Sequence, residues 1–171
     1  SARRNSGASP EGWLAMPAAP SSIAKRAMTA PCFVDTNVLV YANDADAGHK
    51  QAIAFDLIGD LLEQERLVLS AQVLNELASV LLRPRFGYSV DEVRETLGLY
   101  AHCPLVPLDT TLTRRALDAR ARYQVSLPDG LVIAAAERAR CGEILSEDLN
   151  HGQEYFGIVV RNPFLNAVSE P

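Results

Sequence analysis

A chain of 171 residues, 48% hydrophobic and 22% charged, has the composition of an ordinary globular protein and enough length for a single core of typical size, so one domain is expected. Its formal charge of −5 argues against a protein that holds nucleic acid by a broad basic face, though not against one that meets it through bound cations. No apolar run approaches the ~20 residues of a membrane span, and Cys32, Cys103 and Cys141 lack Cys-x-x-Cys spacing, which makes a reduced, cytoplasmic location the expectation.

Residues 1–27 differ from the rest. They carry Pro10, Pro17 and Pro20, four basic residues (Arg3, Arg4, Lys25, Arg26) against the single acid Glu11, and no apolar periodicity. They read as a tag, a mis-called start or a flexible extension ahead of a domain spanning 28–171. That domain is left with 12 basic and 20 acidic residues, a net charge of about −8.

The stretch Cys32-Phe33-Val34-Asp35-Thr36-Asn37-Val38-Leu39-Val40-Tyr41 organises the chain. Asp35 interrupts two apolar runs, which predicts a buried strand opening into a loop at the carboxylate. Burying an unpaired carboxylate costs several kcal/mol or forces it to protonate, so such a residue calls for a metal or a hydrogen-bond donor. A polar turn, Asn43 to Gly48, follows. Ile53, Ala54, Leu57, Ile58, Leu61 and Leu62 then repeat at helical spacing within 49–66. Leu67-Val68-Leu69 is a second strand, and 71–83 a second helix with Val73, Leu74, Leu77, Val80 and Leu81 inward, ended by Pro84.

Ser89 and Glu92 form a capping box for a helix reaching about Tyr100, and Leu105-Val106 is a short strand. Asp109 or Thr110 caps a helix whose Leu112, Ala116 and Ala119 face inward. Ser126 caps another, in which Leu131 to Ala136 is apolar all round and therefore buried on most sides, with Gly142 as its stop. Residues 143–146 and 157–160 are the last strands. Alternating strands and helices without hairpin signals predict an α/β fold with a mostly parallel central sheet covered on both faces.

Four acids fall at the edge where such sheets bind ligands, or on helices that start there. Asp35 and Asp148 lie at strand exits, Glu76 on the border of its helix's apolar stripe, and Asp129 at the start of the buried helix. Each has a plainer reading on its own: a turn residue for Asp35 and Asp148, a solvated helix residue for Glu76, a partner in a Ser126 capping box for Asp129. Grouped, they would repel one another by about 4 kcal/mol per pair at ~4 Å, so cations or protons must accompany them. Oxygen-only donors select Mg²⁺ or Mn²⁺, ions that polarise a phosphoryl oxygen and acidify an attacking water, which points to phosphodiester hydrolysis.

The sequence resembles the PIN-domain ribonucleases, and within them the VapC-type toxins of bacterial toxin–antitoxin pairs. The resemblance rests on FVDTNVLVYA, VLNELASVLLR with Glu76, PDGLVIAAA with Asp129 and ILSEDLNHG with Asp148, in the family's order, over residues 28–164. It implies a PIN-like three-layer α/β/α fold and Mg²⁺- or Mn²⁺-dependent cleavage of RNA. Asp35, Glu76, Asp129 and Asp148 would be the ligands, with Thr36, Asn37 and Ser146 supporting them. It further implies a homodimer and a cognate antitoxin that blocks the cleft.

Pro128 stands where the family often has an aromatic residue, and Glu147 is a competing ligand beside Asp148, although the [ST]-x-D pattern favours Asp148. Arg83, Arg85 and His151 are candidate RNA contacts. A phosphatase of the haloacid dehalogenase type would need a second aspartate where Asn37 stands and a late lysine, whereas the chain has only Lys25 and Lys50. The alternative from another class is a catalytically silent PIN-like module that docks RNA or protein. Removing residues 1–27 is expected to leave folding intact, as circular dichroism and thermal melting of the trimmed chain would check; loss of the cooperative transition would refute the boundary.

Overall fold

Cys32–Val34, three wholly buried apolar residues, form β1 at the centre of a six-stranded sheet. The computed structural model describes residues 29–165, so the expected boundary at residue 27 lies outside the described residues. The remaining strands are β2 (Leu67–Ser70), β3 (Leu105–Val106), β4 (Glu143–Leu145), β5 (Glu154–Tyr155) and β6 (Ile158–Arg161). Their order across the sheet is β3-β2-β1-β4-β6-β5, all parallel except for β5 against β6. The helices are α1 (Thr36–Ala42), α2 (His49–Glu63), α3 (Ala71–Leu81), α4 (Val90–Gly98), α5 (Thr110–Tyr123) and α6 (Leu127–Arg138).

The chain builds outward from β1 to β2 and β3, then returns past β1 to add β4. Right-handed crossovers therefore place successive helices on opposite faces as the direction reverses. Helices α1 to α4 pack among themselves, while α5 and α6 pair and α6 lies across β1, β2 and β4. This is the three-layer arrangement the sequence predicts. The reversal also leaves a crevice at the carboxyl ends of β1 and β4, where ligands bind in open α/β sheets.

Several expected boundaries shift. The apolar run after Asp35 is not strand or loop but the helix α1. Asp35 is its N-cap, its side chain accepting from the Thr36 N–H, and its carbonyl accepts from Val38 N. The β-branched and aromatic content of Val38–Tyr41 favours strand, and the cap together with burial against α2 and α3 overrides it. The buried helix α6 ends at Arg138, and Arg140 rather than Gly142 takes the left-handed conformation beyond it (φ 55°).

The β5–β6 hairpin carries no Asn-Gly signal because its two-residue turn is Phe156-Gly157, with φ of 48° and 84°. A type I′ turn needs positive φ at both positions. Phe156 is held there by a bond from its N–H to the Tyr123 hydroxyl (2.8 Å) and by the Arg115 guanidinium 3.6 Å above its ring.

Helices α5 and α6 approach closely at Gly130, where an added Cβ would stand 2.6 Å from the Ala116 carbonyl oxygen. Backbone cannot yield as a flexible side chain would. Gly130→Ala is therefore expected to cost about 2–3 kcal/mol of stability, read by urea denaturation; an unchanged midpoint would show that the helices can separate freely.

Candidate active site

The register between β1 and β4 assembles the centre of the site. Val34 pairs with Leu145, so Asp35 and Ser146, the next residue of each strand, stand side by side, joined by a bond from Asp35 N to the Leu145 carbonyl (3.0 Å). Both are buried, with Asp35 only 6% exposed. One Asp35 oxygen accepts from the Thr36 N–H (2.7 Å); the other accepts from the Ser146 hydroxyl (2.7 Å) and the Asn37 side-chain amide (3.0 Å).

Asn37 is the bridge to the next acid. Its Nδ2 also donates to Asp148 Oδ2 at 3.0 Å, and its Oδ1 accepts from the Glu147 N–H at 3.2 Å. The Ser146 Oγ in turn accepts from the N–H groups of Asp148 (3.1 Å) and Leu149 (3.3 Å), which fixes the loop after β4. Helix α3 brings in Glu76, half-buried at the border of its apolar face. Thr36 Oγ1 donates to Glu76 Oε2 (2.7 Å), and Gln72 Nε2, one turn earlier, donates to Oε1 (2.8 Å). Asp35, Glu76 and Asp148 are thus gathered around the Thr36-Asn37 pair.

Asp129 shares no hydrogen bond with that trio among the described residues. Its N–H donates to the Ser126 Oγ (3.2 Å), and its carboxylate accepts from the same hydroxyl (2.6 Å), the local capping arrangement its spacing suggests. Among the described residues, no group of three or more acid, histidine or cysteine side chains closes into a ready metal shell. Glu147 turns away from the acids: its carboxylate pairs with Lys50 and accepts from the Tyr41 hydroxyl (2.6 Å).

Thr36, Asn37, Glu76 and Asp148 line an open cleft of about 890 Å³, together with Tyr41, Asp44, Arg83, Arg85 and Phe86. The two arginines are not equivalent. Arg85 is tied to the buried Asp44 carboxylate (2.7 Å), whereas exposed Arg83 makes no ion pair among the described residues. His151 lies outside the cleft lining and accepts from the Asn162 N–H through Nδ1 (3.1 Å), a loop-bracing role. Asp44 and Lys50 belong to no motif, and Tyr41 only ends the FVDTNVLVYA stretch; each has a partner 41 to 106 residues away, and the single local hint is the apolar–polar switch at Tyr41.

Burial pushes the Asp35 carboxyl from an ordinary value of 3.8 up to about 6; bonds from Ser146 and Thr36 pull it back, and the Asp148 and Glu76 charges raise it again. A native carboxyl that holds its proton more tightly than the unfolded chain stabilises the fold at low pH. That contribution is lost as pH rises through about 6.

These features define a class: an α/β protein with carboxylates collected at the switch point of a mostly parallel sheet. Within it, the chain belongs to the PIN domain family, whose sequence model matches residues 32–153. Solved structures with a similar fold include a toxin–antitoxin complex from Klebsiella pneumoniae (19% identity, 77% of this chain and 97% of that chain, TM-score 0.57). Another is VapBC2 from Rickettsia felis bound to a promoter DNA fragment (14% identity, 77% and 97%, TM-score 0.54). A third is Mycobacterium tuberculosis VapC20, a sarcin–ricin loop cleaving toxin (18% identity, 68% and 91%, TM-score 0.50). At these identities the likeness is one of fold. No curated protein matches by sequence.

In metal-free buffer, wild-type stability should fall by roughly 3 kcal/mol between about pH 4 and pH 7 relative to Asp35→Asn, which lacks the titrating group. Denaturant unfolding of both proteins checks this; parallel pH profiles would show that Asp35 titrates normally.

Proposed function

We propose that this chain is a divalent-metal-dependent endoribonuclease, acting as a growth-inhibiting toxin that a cognate antitoxin neutralises. The observation that carries the reading is the convergence of Asp35, Glu76 and Asp148 on Thr36-Asn37 in an open cleft. Membership of the PIN family supports nuclease chemistry, and the toxin–antitoxin neighbours support both the toxin role and the partner. A homodimer is part of the same proposal, resting on the family resemblance.

The donor set suits Mg²⁺ or Mn²⁺. It offers oxygen atoms only, and its most buried member, Asp35, sits between two other acids whose charges a cation would offset. When bound, such an ion supplies Lewis acidity toward a phosphoryl oxygen and a water activated near neutral pH. The chain's own residues do the rest. Thr36, Asn37 and Ser146 hold the carboxylates in place, and Arg83, exposed and without an ion pair among the described residues, offers a guanidinium to a backbone phosphate across the cleft. Arg85 is committed to Asp44 and serves the cleft wall. Asp129 joins the ligand set on its sequence position.

The test is cleavage of single-stranded and structured RNA by protein purified free of inhibitor. Cutting is expected with Mg²⁺ or Mn²⁺, lost on chelation, and lowered at least roughly 100-fold in Asp35→Ala. An Asp129→Asn variant that binds Mn²⁺ like wild type would confine Asp129 to helix capping. No cleavage with either metal, or cleavage indifferent to Asp35→Ala, would sink the enzyme reading and leave a binding module.

A further inference from the structure

Glu147 is flanked by two residues of the site, Ser146 and Asp148, yet its own side chain faces elsewhere. The carboxylate forms an ion pair with Lys50, in the first turn of α2, and accepts from the hydroxyl of Tyr41, near the end of α1, at 2.6 Å. Lys50 is the single lysine in residues 29–165. Its ammonium also donates to the Tyr41 hydroxyl (3.3 Å) and lies 4.6 Å from the centroid of the Tyr41 ring and 5.5 Å from that of Phe164, the two rings meeting edge-on at 5.0 Å. Two helices from one layer thereby grip one residue of the loop after β4.

That grip reaches the acids through the backbone. The Glu147 N–H donates to Asn37 Oδ1 (3.2 Å), which leaves Asn37 Nδ2 facing Asp35 and Asp148, 3.0 Å from each. The opposite amide orientation would set Oδ1 against two carboxylate oxygens and Nδ2 against a donor, both repulsive. The Glu147 N–H therefore holds Oδ1 in the one amide orientation in which Asn37 bridges the two acids.

We infer that Lys50 and Tyr41 are positioning residues for the proposed reaction: by clamping Glu147 they fix the Asn37 amide and, through it, the spacing of Asp35 and Asp148. The inference rests on the nuclease reading for its purpose but not for its physical content. Glu147 is on this account a clamp residue and not a metal ligand. An ion pair with side chains 35% and 26% exposed contributes little to global stability, whereas loss of groups that orient ligands typically costs 10–100-fold in metal affinity or activity.

The test compares wild type with Lys50→Met, which removes the cation, Tyr41→Phe, which keeps the ring against Phe164 but removes the hydroxyl, and Lys50→Arg as the conservative rescue. Three quantities are read: the Asn37 side-chain amide resonances by ¹⁵N NMR without metal, Mn²⁺ affinity by calorimetry, and the melting temperature. In Lys50→Met the amide resonances should shift and Mn²⁺ affinity fall by about tenfold, with melting within about 2 °C of wild type. Tyr41→Phe should weaken Mn²⁺ by about threefold, and Lys50→Arg should recover most of the Lys50→Met loss.

The inference is overturned if either the amide resonances or the Mn²⁺ affinity of Lys50→Met stays at the wild-type value. It is equally overturned if affinity rises, since that would make Glu147 a ligand that Lys50 withholds. None of these readouts uses RNA, so a wild-type protein that cuts no RNA would fail the nuclease reading while the clamp is judged separately.

Discussion

The structure depends on keeping one carboxylate, Asp35, inside the protein. It lies at the end of the central strand, only 6% exposed, and its two oxygens take three hydrogen bonds, from Thr36, Asn37 and Ser146. Burial without those donors would be prohibitive. With them the cost is reduced but not removed, and the carboxyl stays well above its ordinary protonation range. The fold tolerates an expensive group where an ordinary core would place valine or leucine.

The neighbouring parts follow from that constraint. Adjacent parallel strands β1 and β4 are needed to bring Ser146 to Asp35, and the helix capped by Asp35 brings Thr36 and Asn37 to the same edge. Thr36 then reaches Glu76 and Asn37 reaches Asp148, so the residues that reduce the cost of Asp35 also draw two more negative charges toward it. The cluster is satisfied as a hydrogen-bond network, since no buried side-chain polar atom among the described residues lacks a partner, yet it remains electrostatically strained. A divalent cation would relieve that strain, and the proposed nuclease chemistry would use the same charge.

How much of this the sequence shows depends on the range of the interaction. β1, β2, α3, α5 and the Ser89 capping box are legible because short apolar periods and cap residues are local, and the parallel sheet follows from their alternation. The acids are legible as strand exits and motif positions. Helix α1 is not, because Val38–Tyr41 has strand propensity and the deciding factors are a cap and packing against α2 and α3. The Phe156-Gly157 turn is hidden for a similar reason, since a phenylalanine at positive φ is held by Tyr123 and Arg115 from elsewhere in the chain. Lys50 and Asp44 give no such signal, and Tyr41 shows only its place at the end of FVDTNVLVYA: Lys50 meets Glu147 across 97 residues, and only the folded topology brings them together. Asp129 shows the converse, a motif position whose observed contacts are the local ones.

The most direct measurement is a crystal structure of the chain with Mn²⁺, with data collected to reveal anomalous scattering from the ion. An anomalous peak within bonding distance of Asp35 and Asp148 oxygens, with Glu147 still paired to Lys50, is the expected result. A peak at saturating Mn²⁺ that lies away from Asp35, or a cleft with no peak, would contradict the shared carboxylate site.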